Sequence, residues 1–140
     1  MTPVIPGAPR RAYPAPMTSM VQVELQKLRD LQRVLEERTS DLEASANEVL
    51  AVGQAVLDFA EREEAALFPL LPLLDPAARA ELGGEHEQLR EDLDLLDYLA
   101  RTSPESPDAS TLAEAIARRM RSHIARDGRL LAQAERMAGR

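Results

Sequence analysis

Four long stretches of this chain repeat apolar residues at three- and four-residue steps, with prolines between most of them. That spacing lines up one row of side chains on one face of a helix, so each stretch carries a stripe that must be buried against the others. The first row is Val21, Leu25, Leu28, Leu31 and Leu35, in a helix predicted from a cap at Thr18 or Ser19 to about Arg38. Thr39, Ser40 and Asp41 offer a turn and a new cap. A second helix is predicted from about Asp41 to Phe68, with the row Leu42, Ala46, Val49, Gly53, Val56, Ala60, Glu63 and Leu67. Pro69 and Pro72 close it, since neither can continue the hydrogen-bond ladder.

Asp75-Pro76 is a cap followed by a first-turn proline, and Gly83-Gly84 are poor helix interior residues. A short turn over 76–82, then a kink or restart, is therefore expected before the main third helix. Its row is Leu82, His86, Leu89, Leu93, Leu96 and Ala100. After a loop over 103–108, Asp108 or Ser110 caps a fourth helix that reaches about Met137. Its row is Leu112, Ile116, Met120, His123, Asp127, Leu130, Ala134 and Met137. Leu and Ala carry the apolar content and aromatics are only 3%, which favours helices over sheets. The expected fold is all-α, an antiparallel up-down-up-down four-helix bundle over 18–140. Residues 1–17, with prolines at 3, 6, 9, 14 and 16, are expected to be a disordered tail.

A formal charge of −7 argues against nucleic acid and anionic membrane surfaces, because binding them needs a basic footprint. The absence of cysteine excludes disulfides and thiolate chemistry. No apolar run approaches membrane-spanning length, and no signal-peptide core follows Arg10 and Arg11, so a cytoplasmic location is the default expectation.

Four residues break the apolar rows: Glu63, His86, His123 and Asp127. His123 and Asp127 are four apart and share a helix face. The two halves of the chain also align. Leu25-Gln-Lys-Leu-Arg-Asp sits over His86-Glu-Gln-Leu-Arg-Glu, and Phe59-Ala-Glu-Arg-Glu over His123-Ile-Ala-Arg-Asp. Two helix hairpins are implied, each with one inward position on its first helix and a second-helix position followed at i+4 by a carboxylate. The second hairpin places His, His and Asp there, and the first places Leu, Phe and Glu.

Glu63-Glu64-Ala-Ala-Leu67-Phe68-Pro69 resembles the ending of the second helix in the hemerythrin-like (HHE) cation-binding domains. Glu85-His86 and Ser122-His123-Ile-Ala-Arg-Asp127 are similar to that family's third- and fourth-helix motifs. The resemblance covers about residues 20–137 and implies a four-helix bundle around a di-iron site. It also implies a reduced site, because the family's first- and second-helix histidines fall on Leu25 and Phe59. Carried over by position, His86, His123, Glu63 and Asp127 remain as ligands for one iron, zinc or manganese ion. Of the other nearby carboxylates, Glu24 and Glu61 point off the row, and Glu64 is the candidate to rebuild a second metal position.

The function this implies is a mononuclear metal-binding domain with a binding, storage or sensing role rather than catalysis or dioxygen carriage. Its partners would be the metal ion and, through it, dioxygen or another small ligand. The alternative is a metal-free helical interaction or regulatory module that kept the scaffold, with both histidines paired as cations to Glu63 and Asp127. A third reading is an oxidase- or peroxidase-like enzyme with a rebuilt dinuclear centre. Gly53 and Gly128 are expected to allow close helix approach, with access for a small ligand as the alternative at Gly128.

Overall fold

A computed structural model of the chain describes residues 14–139, with side chains from residue 20 onward. Helix α1 spans Pro14–Ser40 and α2 spans Ala46–Ala66. A 3-10 turn at Phe68–Leu70 and the one-turn helix α3, Leu71–Leu74, lead into α4, Ala78–Thr102, and α5, Pro107–Ala138. No strand occurs among the described residues.

Bonds between helices fix the topology. Along α1 and α5, Gln22 bonds to Ala138, Arg29 to Glu135, Gln32 to Ile124 and Arg121 to the carbonyl of Thr39, so one number rises as the other falls. Gly53 lies against Leu93 and Glu63 near His86, which makes α2 and α4 antiparallel as well. Arg126 reaches Glu81 and Arg119 reaches Asp92, giving the same sense for α4 and α5. With α1 packed on α2, the ring α1, α2, α4, α5 is the expected antiparallel four-helix bundle.

Most predicted rows face the core. Leu25, Leu28, Leu35, Val49, Val56, Leu82, Leu96, Ile116 and Met120 are all buried. Val21 is exposed, and Gln32 takes an inward place beside the half-buried Leu31. Gln32 tolerates burial because its side-chain amide donates to the carbonyl of Ile124 at 2.9 Å.

Several boundaries differ from the sequence expectation. Helix α1 starts at Pro14 rather than Thr18 or Ser19. Pro14 and Pro16 fall in its first turn, where backbone N–H groups have no intrahelical acceptor, so proline costs little there. Of the expected tail, residues 1–13 lie outside the described residues. The cap of α2 is Ser45, not Asp41: its hydroxyl accepts from the Glu48 N–H, and the Glu48 carboxylate accepts from the N–H of Glu43. Ser106 caps α5 and Pro107 occupies its first turn, a few residues ahead of Asp108 and Ser110.

The expected short turn over 76–82 and restart at Gly83-Gly84 do not occur: α4 begins at Ala78 and runs through both glycines. Each glycine costs about 1 kcal/mol in a helix interior. Burial of Ala78, Leu82, His86 and Leu89 on either side offsets that cost. Close approach is real at the other two glycines. A Cβ on Gly53 would come within 2.6 Å of Leu93, and one on Gly128 within 2.6 Å of the Gln32 amide. The space at Gly128 is thus filled by Gln32 rather than open to a ligand.

Candidate metal centre

Three helices converge four polar side chains inside this core. Glu63 comes from the last turns of α2, His86 from the first half of α4, and His123 and Asp127 from successive turns of α5. Glu63, His86 and Asp127 are completely buried, and His123 is 7% exposed. The Nε2 atom of His86 lies 3.4 Å from Glu63 Oε1, and that of His123 lies 4.0 Å from the same oxygen and 3.1 Å from Asp127 Oδ2. The two imidazoles meet edge to face at 71°, ring centres 5.0 Å apart. Glu63, His86 and His123 each offer one ligand atom within 4.8 Å of the others. Asp127 lies outside that trio and joins the group through His123.

These atoms are close but poorly satisfied. Both oxygens of Glu63, both of Asp127 and the Nε2 atoms of both histidines are buried without a hydrogen bond of good geometry. Asp127 Oδ2, 3.1 Å from His123 Nε2, is near enough to stabilise charge on that ring. Buried polar atoms without well-made hydrogen bonds are costly, and six in one cluster need a common explanation. A single ion bonded at about 2.0–2.2 Å to each donor would hold neighbouring donors about 3.0–3.5 Å apart; the His86–Glu63 and His123–Asp127 distances of 3.4 and 3.1 Å fall in that range, and the His123–Glu63 distance of 4.0 Å would have to shorten. The donor set of two imidazoles and two carboxylates also suits a divalent transition metal.

The outer nitrogens are tied down by other acids. His123 Nδ1 pairs with Glu85 Oε1 at 2.5 Å, and the other Glu85 oxygen accepts from Arg126 at 3.2 Å. His86 Nδ1 faces Glu64 Oε2 at 3.4 Å, with Arg90 on the far side of Glu64 at 3.5 Å. Phe68 stacks on His86 at 5.6 Å and 16°. Such partners fix ring orientation and direct the remaining nitrogen inward. On the sequence Glu85 is only the neighbour of His86 in a motif, and its role as a brace for His123 comes from the packing of α4 on α5. Its one available signal was its place next to His86 on the edge of α4 that faces α5. Glu64, the candidate for rebuilding a second metal position, instead addresses the outer nitrogen of His86. Glu24 and Glu61 are exposed, and Glu24 pairs with Lys27. Leu25 and Phe59 are buried at 0% and 2% and offer no ligand atom.

The protonation pattern corrects the expectation of two imidazolium–carboxylate pairs. Burial, with the negative charge of Asp127 beside it, pushes the Glu63 carboxyl up to about 11, so without a metal it keeps its proton. Burial, reinforced by the charge on His123, lowers His86 and leaves it neutral. Burial also works against the His123 cation, but Asp127 and Glu85 on either side outweigh it and raise the ring to about 9. Its charge in turn lowers Glu85, chiefly through their hydrogen bond. The metal-free centre therefore has one cationic ring, one neutral ring and one protonated acid.

None of the described helices is long and apolar enough to cross a membrane. No curated protein and no solved structure matches the chain. Residues 19–134 match the family model of the hemerythrin HHE cation-binding domain.

Proposed function

The chain belongs to the hemerythrin HHE cation-binding domain family, and from that premise we propose that it holds one divalent metal ion through His86, His123, Glu63 and Asp127, in a binding or sensing role. The observation that carries this reading is the convergence on one buried cluster of six ligand atoms, from those four residues, that form no well-made hydrogen bond. When bound, the ion would supply Lewis acidity and, if it is iron, one-electron redox chemistry. Glu85 and Glu64 hold the two imidazoles from behind, and Phe68 shields His86 from water. With Leu25 and Phe59 in place of two histidines, the first hairpin has no imidazole to offer a second ion. A single metal does not supply the paired electrons of two-iron dioxygen carriage, so binding or sensing is the reading preferred.

The competing reading, a metal-free interaction or regulatory module, is favoured by Leu25 and Phe59, which fill two inward positions with buried apolar atoms. Metal content per chain separates the two. Protein expressed with iron, zinc and manganese available should carry about one metal per chain, lost in His123→Ala. Content at the variant's background would leave the metal-free module, and about two per chain would mean that a second position has been rebuilt.

A further inference from the structure

A cleft of about 210 Å³ lies between α4 and α5. Leu89 of α4 and Ile116 and Met120 of α5 form its buried floor, and His123 belongs to its wall. The charged groups around it are already engaged within the protein. Glu85 is bonded to His123 and Arg126, while Asp92 accepts from Arg119 and, at 3.0 Å, from the Gln88 amide. A charged ligand would have to break one of these pairs, whereas an apolar one leaves them intact and covers the floor. The volume somewhat exceeds the roughly 150 Å³ of an apolar protein cavity that takes up benzene. It is too small for a helix about 10 Å across.

We propose that this cleft binds a small, neutral, mainly apolar molecule about the size of a single aromatic ring. Its occupant touches His123, the residue whose ring Nε2 faces Glu63 and Asp127. Binding in the cleft is then coupled to binding at the centre, and by linkage the coupling runs equally in both directions. The coupling rests on the metal reading above; binding in the cleft does not.

The test is titration of the full chain with toluene, and with benzoate as its charged counterpart, followed by the methyl NMR signals of Ile116 and Met120. The measurement is made on metal-free and on zinc-treated protein. Saturable shifts of both methyl groups are expected with toluene, and an affinity at least about tenfold weaker for benzoate. Gln88→Trp and Ser122→Trp, both at exposed rim positions, should each weaken toluene about tenfold or more with circular dichroism unchanged. Non-saturating shifts, toluene affinity unchanged in both rim variants, or benzoate binding as well as toluene would overturn the proposal. Toluene binding in a protein that takes up no zinc, iron or manganese sustains the cleft while removing the metal reading. Where zinc is taken up, a change in toluene affinity supports the coupling and an unchanged affinity overturns it.

Discussion

The two helix hairpins of this bundle place equivalent positions in equally buried surroundings and fill them with opposite chemistry. In the α1–α2 hairpin, Leu25 and Phe59 are 0% and 2% exposed; in the α4–α5 hairpin, their counterparts His86 and His123 are 0% and 7%. Glu63 and Asp127, each four residues past the second-helix position, are both completely buried. The first hairpin thus closes with apolar atoms that need nothing further. The second leaves ligand atoms without well-made hydrogen bonds, and it borrows Glu63 from the first. Depth in the core does not distinguish structure from chemistry here; unmet bonding capacity does.

His123→Ala should have the largest effect. It removes the metal, and in the metal-free protein it leaves Asp127 buried without its cation, at a cost of about 3–5 kcal/mol. Elemental analysis and urea denaturation read the two effects, and retained metal would break the comparison at its polar side. Leu25→Ala probes the apolar side. Loss of a fully buried leucine should cost about 2–5 kcal/mol through the cavity left behind. Metal per chain should stay unchanged, and a fall in it would mean that the centre extends into the first hairpin.

Glu85→Gln keeps the shape of the residue that braces His123 but removes its charge. Metal affinity should fall about 10- to 100-fold at unchanged stoichiometry, as competition with a chelator would show. An affinity within twofold of the parent would reduce Glu85 to an ordinary surface acid.

Changing pH alters no residue, and each proton involved contributes at most about 1.4 kcal/mol per pH unit. The folded form keeps a proton on Glu63 that the unfolded chain releases above its ordinary 4.5, so this contribution declines as pH rises toward about 11. The contribution of His123 is complete below 6.5 and is lost as pH rises through about 9. His86, lowered, acts in the other direction but only below 6.5. Thermal unfolding of the metal-free protein should therefore occur at lower temperature at pH 9 than at pH 6.5. An unchanged or higher melting temperature would contradict the protonation pattern of the second hairpin. Since metal displaces the Glu63 proton, the loaded protein should lose less over the same range.

Much of this architecture was legible in the residues. The helical rows specify α1, α2, α4 and α5, and the four residues that interrupt those rows are the ones brought together. Local rules failed where tertiary packing outweighed them. Gly83-Gly84 remained helical because burial on both sides of the pair exceeds its intrinsic cost. The start of α2 was misplaced because Asp41 and Ser45 are both acceptable caps, and the bond from Glu48 back to Glu43 favours Ser45.

By itself the sequence determined most of the residues that enter the core, the four polar ones on the apolar rows included, because helical periodicity is a local property of the chain. Only the tertiary structure decided their chemical states and partners. Whether Glu63 keeps a proton, whether His123 carries charge and which acid braces each ring depend on distances between helices that no spacing along one helix encodes. Desolvation and Coulomb interaction act through space, and packing α2, α4 and α5 together sets them.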